Sequence, residues 1–152
     1  MLKIEDLLLA SGWYKDREVD INHYLNVLQD EGYEIFEPAV EFLKEYGDLA
    51  IEFENPRRED SNLTLIINPI EATRSIFREA AKRYERHCHE AFVIIGEIPM
   101  MDMTWYISSL GAFYGGNDDL LLRLGDDFME ALHHVVNGVT LEVITVDDVP
   151  NY

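Results

Sequence analysis

Residues Gly111–Gly138, GAFYGGNDDLLLRLGDDFMEALHHVVNG, constrain the fold more than any other stretch, because they spell out a run of elements punctuated at both ends. Ala112–Tyr114 is short and apolar. Gly115-Gly116-Asn117-Asp118-Asp119 then gathers the residue types that tolerate left-handed and turn conformations, which predicts a chain reversal. Leu120-Leu121-Leu122 is too short for a helix and lies between turn signals, which predicts a buried strand. Beyond Gly125, Asp126 or Asp127 can cap a helix, and Glu130 follows Asp127 at capping-box spacing. Phe128, Ala131, Leu132, Val135 and Val136 recur at i, i+3, i+4, i+7 and i+8, an apolar stripe facing a core, and Gly138 ends it. What stays exposed is an acidic turn held between two anchored elements, a shape better suited to holding a partner than to chemistry.

The remainder of the chain divides around this unit. Leu2–Ser11 carries Ile4, Leu7 and Leu8 on one helical face and closes at Gly12. After Trp13-Tyr14 and a polar loop, Asp20 is placed to cap a helix over Ile21–Glu31, stopped by Gly32. Pro38 suits the first position of a third helix, which ends before Gly47. Leu49–Phe53 alternates apolar and polar as a half-buried strand does, and Leu63–Ile67 forms a second strand beyond the charged loop Glu54–Asn62. Ile70–His89 is the longest helical pattern, with Ile76, Phe77, Ala80, Ala81 and Tyr84 facing inward. Phe92–Ile95, Met103–Ile107 and Ala112–Tyr114 read as an antiparallel meander, and Leu141–Val146 as a last strand. Helices first, then strands with interspersed helices, predict an α+β fold. Its N-terminal helices pack on a mostly antiparallel sheet, with a long middle helix and a C-terminal helix, all in one domain spanning residues 1–152.

Charge narrows the function. Twelve Lys and Arg face 30 Asp and Glu, a formal net charge of −18. Such a field repels nucleic acid and anionic membrane and favours association with a basic partner. The 47% apolar content excludes an acidic disordered tail. Arg74, Arg78, Lys82, Arg83 and Arg86 gather on the middle helix, but Glu71, Glu79 and Glu85 offset them, so that surface reads as a solvated mixed face. One cysteine, Cys88, excludes an internal disulfide. Glu5 and Asp6 stand where a signal peptide would be apolar, and no apolar run reaches the roughly 18–20 residues of a membrane span, so a cytoplasmic location is expected.

Sites for chemistry are sparse. His87-Cys88-His89 is the one cluster resembling metal ligands, yet i and i+2 diverge on a helix and no CxxC or HExxH accompanies it. His133-His134 point apart and read as solvated. Ser108-Ser109 lacks a nucleophile elbow. Gly115-Gly116 lacks a phosphate-cradle context, and Asp118-Asp119 beside it would repel phosphate. No cofactor, metal or catalytic residue is assigned. Trp13, Trp105 and Tyr114 have the chemistry of partner anchors and equally that of core residues.

The order of several short motifs points further. Gly12-Trp13-Tyr14, Arg17-Glu18-Val19-Asp20 before the second helix, Phe42-Leu43 running to Tyr46-Gly47, Ile95-Gly96-Glu97, and Phe113-Tyr114-Gly115-Gly116 running into Leu124-Gly125-Asp126 together resemble the SUKH superfamily of bacterial immunity proteins, in its third subgroup. The resemblance implies an α+β fold and a non-catalytic role. Such a protein would bind and neutralise the toxin domain of a contact-dependent or secreted polymorphic toxin, often a nuclease, whose basic surface an acidic face could cover. Chosen by expected exposure and chemistry, the residues for that face are Tyr114, Asn117, Asp118 and Asp119, with Trp13 and Asp16 beside them. The superfamily also includes regulatory scaffolds, which leaves a non-catalytic interaction module as the alternative.

Overall fold

Two strands in the middle of the chain, Phe92–Ile98 and Met103–Ser108, bury nearly every side chain they carry. Since successive side chains point to opposite faces, such strands must be covered on both sides. The computed structural model, which describes residues 3–146, provides that cover. In chain order its elements are α1 (Ile4–Ala10), α2 (Asn22–Asp30), α3 (Glu37–Tyr46), β1 (Ala50–Glu54), β2 (Asn62–Ile66), α4 (Pro69–Ser75) and α5 (Arg78–Cys88). There follow β3 (Phe92–Ile98), a 3-10 turn (Pro99–Met101), β4 (Met103–Ser108), β5 (Phe113–Asn117), β6 (Leu120–Gly125), α6 (Phe128–Val136) and β7 (Val143–Thr145). The seven strands form one sheet in sequence order, every neighbouring pair antiparallel.

The two faces of the sheet carry separate aromatic clusters. Trp105 and Tyr106 are neighbours on β4 and point opposite ways. On one face Phe42 of α3 meets Phe113 at 5.1 Å and Phe128 of α6 at 4.9 Å, and Phe128 lies edge-on to Trp105. On the other, Tyr84 of α5 lies edge-on to Tyr106 at 5.6 Å, and Phe92 stacks on Tyr114 at 4.9 Å. Pairs of this geometry add about 0.5–1.5 kcal/mol each beyond the burial of their area. The result is three layers: α1, α3 and α6, then the sheet, then α4 and α5, with α2 packed on α4. The α+β class and the antiparallel sheet agree with expectation. The N-terminal helices do not form a single layer, because α2 goes to α4 while α1 and α3 pack on the sheet.

The expected long helix over Ile70–His89 is two helices. Ile76 and Phe77 are both extended, with ψ of 131° and 155°. Ser75-Ile76-Phe77 contains no strong helix former. The break also lets Arg78, at the start of α5, lay its guanidinium 4.3 Å over the Tyr33 ring, donate to the Gly32 carbonyl and pair with Glu85 at 2.7 Å. Phe77, expected inside, is left 81% exposed. Two further corrections concern the hairpin. Gly115 and Gly116 belong to β5 rather than to the turn, and Leu120 faces solvent while Leu121 is buried. The last strand is shorter than Leu141–Val146; Leu2 and residues 147–152 lie outside the described part.

One irregularity decides what faces what. Ile94 pairs with Tyr106, yet Gly96 pairs with Trp105, so Ile95 is an extra residue in β3. Without it Glu97 would fall opposite Met103, on the α3–α6 face. The bulge shifts every later residue of β3 to the other side and sets Glu97 opposite Thr104, on the α5 face. Gly96 is required at this point because any Cβ there would collide with the Ile66 carbonyl.

Candidate interaction site

The acidic turn is real, and it is held from both sides. Asn117 pairs with Leu120 across a two-residue loop, Asp118-Asp119. Asp118 takes φ 51°, in the left-handed region that Asp tolerates better than most residues. The Tyr84 hydroxyl donates to the Asp118 carbonyl at 2.7 Å, and the Val146 amide donates to the Asp119 carbonyl at 2.7 Å. With both carbonyls fixed, the two carboxylates are left to solvent, and Asn117 is exposed beside them. Burial pushes the Tyr84 phenol up to about 12; Arg83 opposes that shift, while Asp118 and Asp119 add to it.

Beneath the turn lies a cleft of about 280 Å³ between α5 and the sheet. Its floor is a row in register across three strands, Glu97, Thr104 and Gly116. The Tyr84 ring overhangs Gly116 so closely that a Cβ there would sit 2.7 Å from it. Ala80 and Arg83 of α5, with the extended Ile76 before that helix, form one wall; Pro99, Asp102 and Asp118 lie along the other side. Three acidic residues, Glu97, Asp102 and Asp118, and one basic residue, Arg83, are thus among those that border this space. Tyr106 also lines it and is fully buried; like those of Tyr24 and Tyr33, its hydroxyl is buried without a hydrogen-bond partner among the described residues. Phe77 and Met100, two of the most exposed apolar side chains, adjoin the lining residues Ile76 and Pro99.

The structure brings together only part of the set expected from sequence. Asn117, Asp118 and Asp119 form the turn. Tyr114 lies inward of it and is 3% exposed, a correction to its expected role on the surface. Its ring stacks on Phe92, its hydroxyl accepts from Arg123 Nη1 at 2.7 Å and donates to Glu90 Oε2 at 3.4 Å. Burial, reinforced by Glu90, pushes that phenol up to about 12. Trp13 sits on the far face of the sheet, stacked on Tyr46 with its indole N–H donating to Glu45 Oε2 at 3.0 Å. Asp16 is exposed in the loop beside it, at φ 63°. These two lie apart from the turn. Glu97, Asp102, Tyr84 and Tyr106 were not singled out in the sequence; Ile95-Gly96-Glu97 was the available signal, and its meaning depends on the bulge.

The remaining chemical candidates are used internally. His134, expected to be solvated, places Nδ1 2.7 Å from the Leu124 carbonyl, so that nitrogen carries the proton and donates. Cys88 is half-buried, and burial raises its thiol pKa, with Glu90 adding to the shift. Among the described residues no three His, Cys, Asp or Glu side chains gather as a metal set would, and no helix is long and apolar enough to cross a membrane.

A family model described as "SUKH-3 immunity protein" matches residues 2–138. Neither the curated proteins nor the solved structures give a match.

Proposed function

Because the chain belongs to the SUKH-3 immunity protein family, we propose that it binds the toxin domain of a polymorphic toxin and neutralises it stoichiometrically, without catalysis. The family match over residues 2–138 carries this reading. The toxin is a basic protein, a nuclease being the class whose substrate surface best complements a net charge of −18. The contact surface is the acidic turn Asn117-Asp118-Asp119 together with the rim of the cleft below it. Its rigidity supports the choice: a turn whose carbonyls are already bonded loses little freedom on docking.

The test is co-expression with the product of the neighbouring gene, which on this reading carries the toxin domain. Survival of cells that the toxin alone kills, with a 1:1 complex on size exclusion that loosens as salt rises, is the expected result. Killing unaffected by the protein, with no complex formed, would end the immunity reading.

A further inference from the structure

We infer that a second hollow, on the α6 side of the sheet, is a binding site for a free small molecule that joins an apolar body to one anionic group, a carboxylate carrying an acyl chain. Strand pairing opens it. The β1–β2 hairpin is joined to β3 by the single pair Ile66–Glu97. Its tip reaches over to the end of α6, where Pro56 lies against Gly138 and Arg57 Nη2 donates to the Gly138 carbonyl at 3.4 Å. Between the hairpin and the β6–β7 margin a trough of about 570 Å³ is left open. Leu122 and Val143, opposite one another on β6 and β7, line it together with Leu63 of β2, Met103 of β4, Val135 of α6 and Leu141. Its volume is within the roughly 300–1,000 Å³ of pockets that enclose small molecules, and apolar walls with a few polar groups are the usual character of such pockets.

The charge around the trough argues for the anionic group. Asp and Glu make up 30 of the 152 residues, yet none borders this space, whereas Arg57, Arg58 and His134 do. Among the described residues neither arginine pairs with a carboxylate, and Glu59 and Asp60, next in the chain, do not line the trough. An anion repelled elsewhere on this surface meets two guanidiniums here, with only one of their donors committed, to Gly138. The basic partner proposed above would meet them as like charges, so the trough is not its seat. The floor argues for the apolar body. Met103 lies over Gly115, where a Cβ would come 2.8 Å from its sulfur, and Met101 also lines the trough. Unbranched thioethers can reshape around an inserted chain. Val139 and Val143, 40% and 56% exposed, leave apolar surface in water that an acyl chain would cover.

Nothing in this site depends on the immunity reading, and its test is separate. Octanoate is titrated into the isotope-labelled protein and followed by amide NMR. The controls are 1-octanol, which has the tail without the charge, and acetate, which has the charge without the tail. Saturable octanoate shifts centred on Leu63, Met103, Leu122, Val135 and Val143 are expected, with both controls binding on the order of tenfold more weakly or less. The double variant Arg57→Gln/Arg58→Gln should bring octanoate down to the affinity of 1-octanol and leave 1-octanol unchanged. Both positions are exposed in a loop, and overlay of the remaining spectrum on the parent verifies the fold. Octanoate and 1-octanol binding alike in the parent, octanoate binding unchanged in the variant, shifts centred away from the trough, or no saturable shift would each overturn the site. Protection of cells, present or absent, bears on the immunity reading alone.

Discussion

Gly115 and Gly116 are adjacent in β5 but clear opposite faces of the sheet, and their neighbours differ in how far they can yield. A Cβ on Gly115 meets the Met103 thioether at 2.8 Å, the far end of a flexible side chain. A Cβ on Gly116 meets the Tyr84 ring, which its own hydroxyl ties to the Asp118 carbonyl and which packs on Tyr106. Gly116→Ala should therefore cost about 1–3 kcal/mol in urea unfolding, as overpacking does, and Gly115→Ala clearly less. Equal costs would mean that Tyr84 is not held as described. Tyr84 also sets a pH response. Its phenol is raised from 10.0 to about 12, so the folded chain favours the neutral form. The stability it contributes is complete below pH 10 and is lost as pH rises from 10 toward about 12, with Tyr114 shifted alike. Urea midpoints that fall above pH 10, with a shallower fall in Tyr84→Phe, are the expected result.

At the level of elements, local rules were legible where the determinants are local. The start of α6 is the clearest case: Asp127 accepts from the Glu130 amide at 2.8 Å, and the Glu130 carboxylate returns to the Asp126 amide at 3.1 Å. Asp127→Ala should lower stability by about 1 kcal/mol, read from the urea midpoint, while Asp126→Ala changes it less. The Gly138 stop and the strands on either side of the acidic turn were readable for the same reason. The division of residues 70–89 was not, because the break at Ile76-Phe77 lets Arg78 reach Tyr33 and Gly32, partners some 46 positions away in sequence. Tyr114 misled because an aromatic beside a turn looks exposed, and only the pairing of β5 with β6 places it under Arg123. Glu97 was hidden most completely: alternation counted along β3 assigns it to the wrong face unless the close approach of Ile66 to Gly96 is known.

For the whole molecule, charge and layering act together. If the partner is the basic protein proposed above, the −18 field would draw it from a distance but is blind to orientation; the rigid turn would give that attraction a place to act. Neutralising the tip with Asp118→Asn/Asp119→Asn, which keeps Asn at the left-handed position, should lower the association rate with the toxin domain several-fold at low salt and flatten its salt dependence. Stopped-flow or surface binding at two ionic strengths measures both, and an unchanged rate and slope would place the contact elsewhere. The extra residue in β3 has one more consequence, for how this molecule can change over generations. A strand behaves like a reading frame of two: one inserted or deleted residue inverts the assignment of every position after it. β3 is therefore expected to accept insertions and deletions only in compensating pairs, because a single one would turn Glu97 from the cleft toward Trp105 and the core of the opposite face. Substitutions at the tip and rim, Asn117, Asp118 and Asp102, carry no such inversion, although the left-handed backbone at Asp118 and Asp102 favours Asp, Asn or Gly there. A lineage of such proteins facing new toxins would diversify there, by exchange of side chains, while the length of the strand beneath stayed fixed.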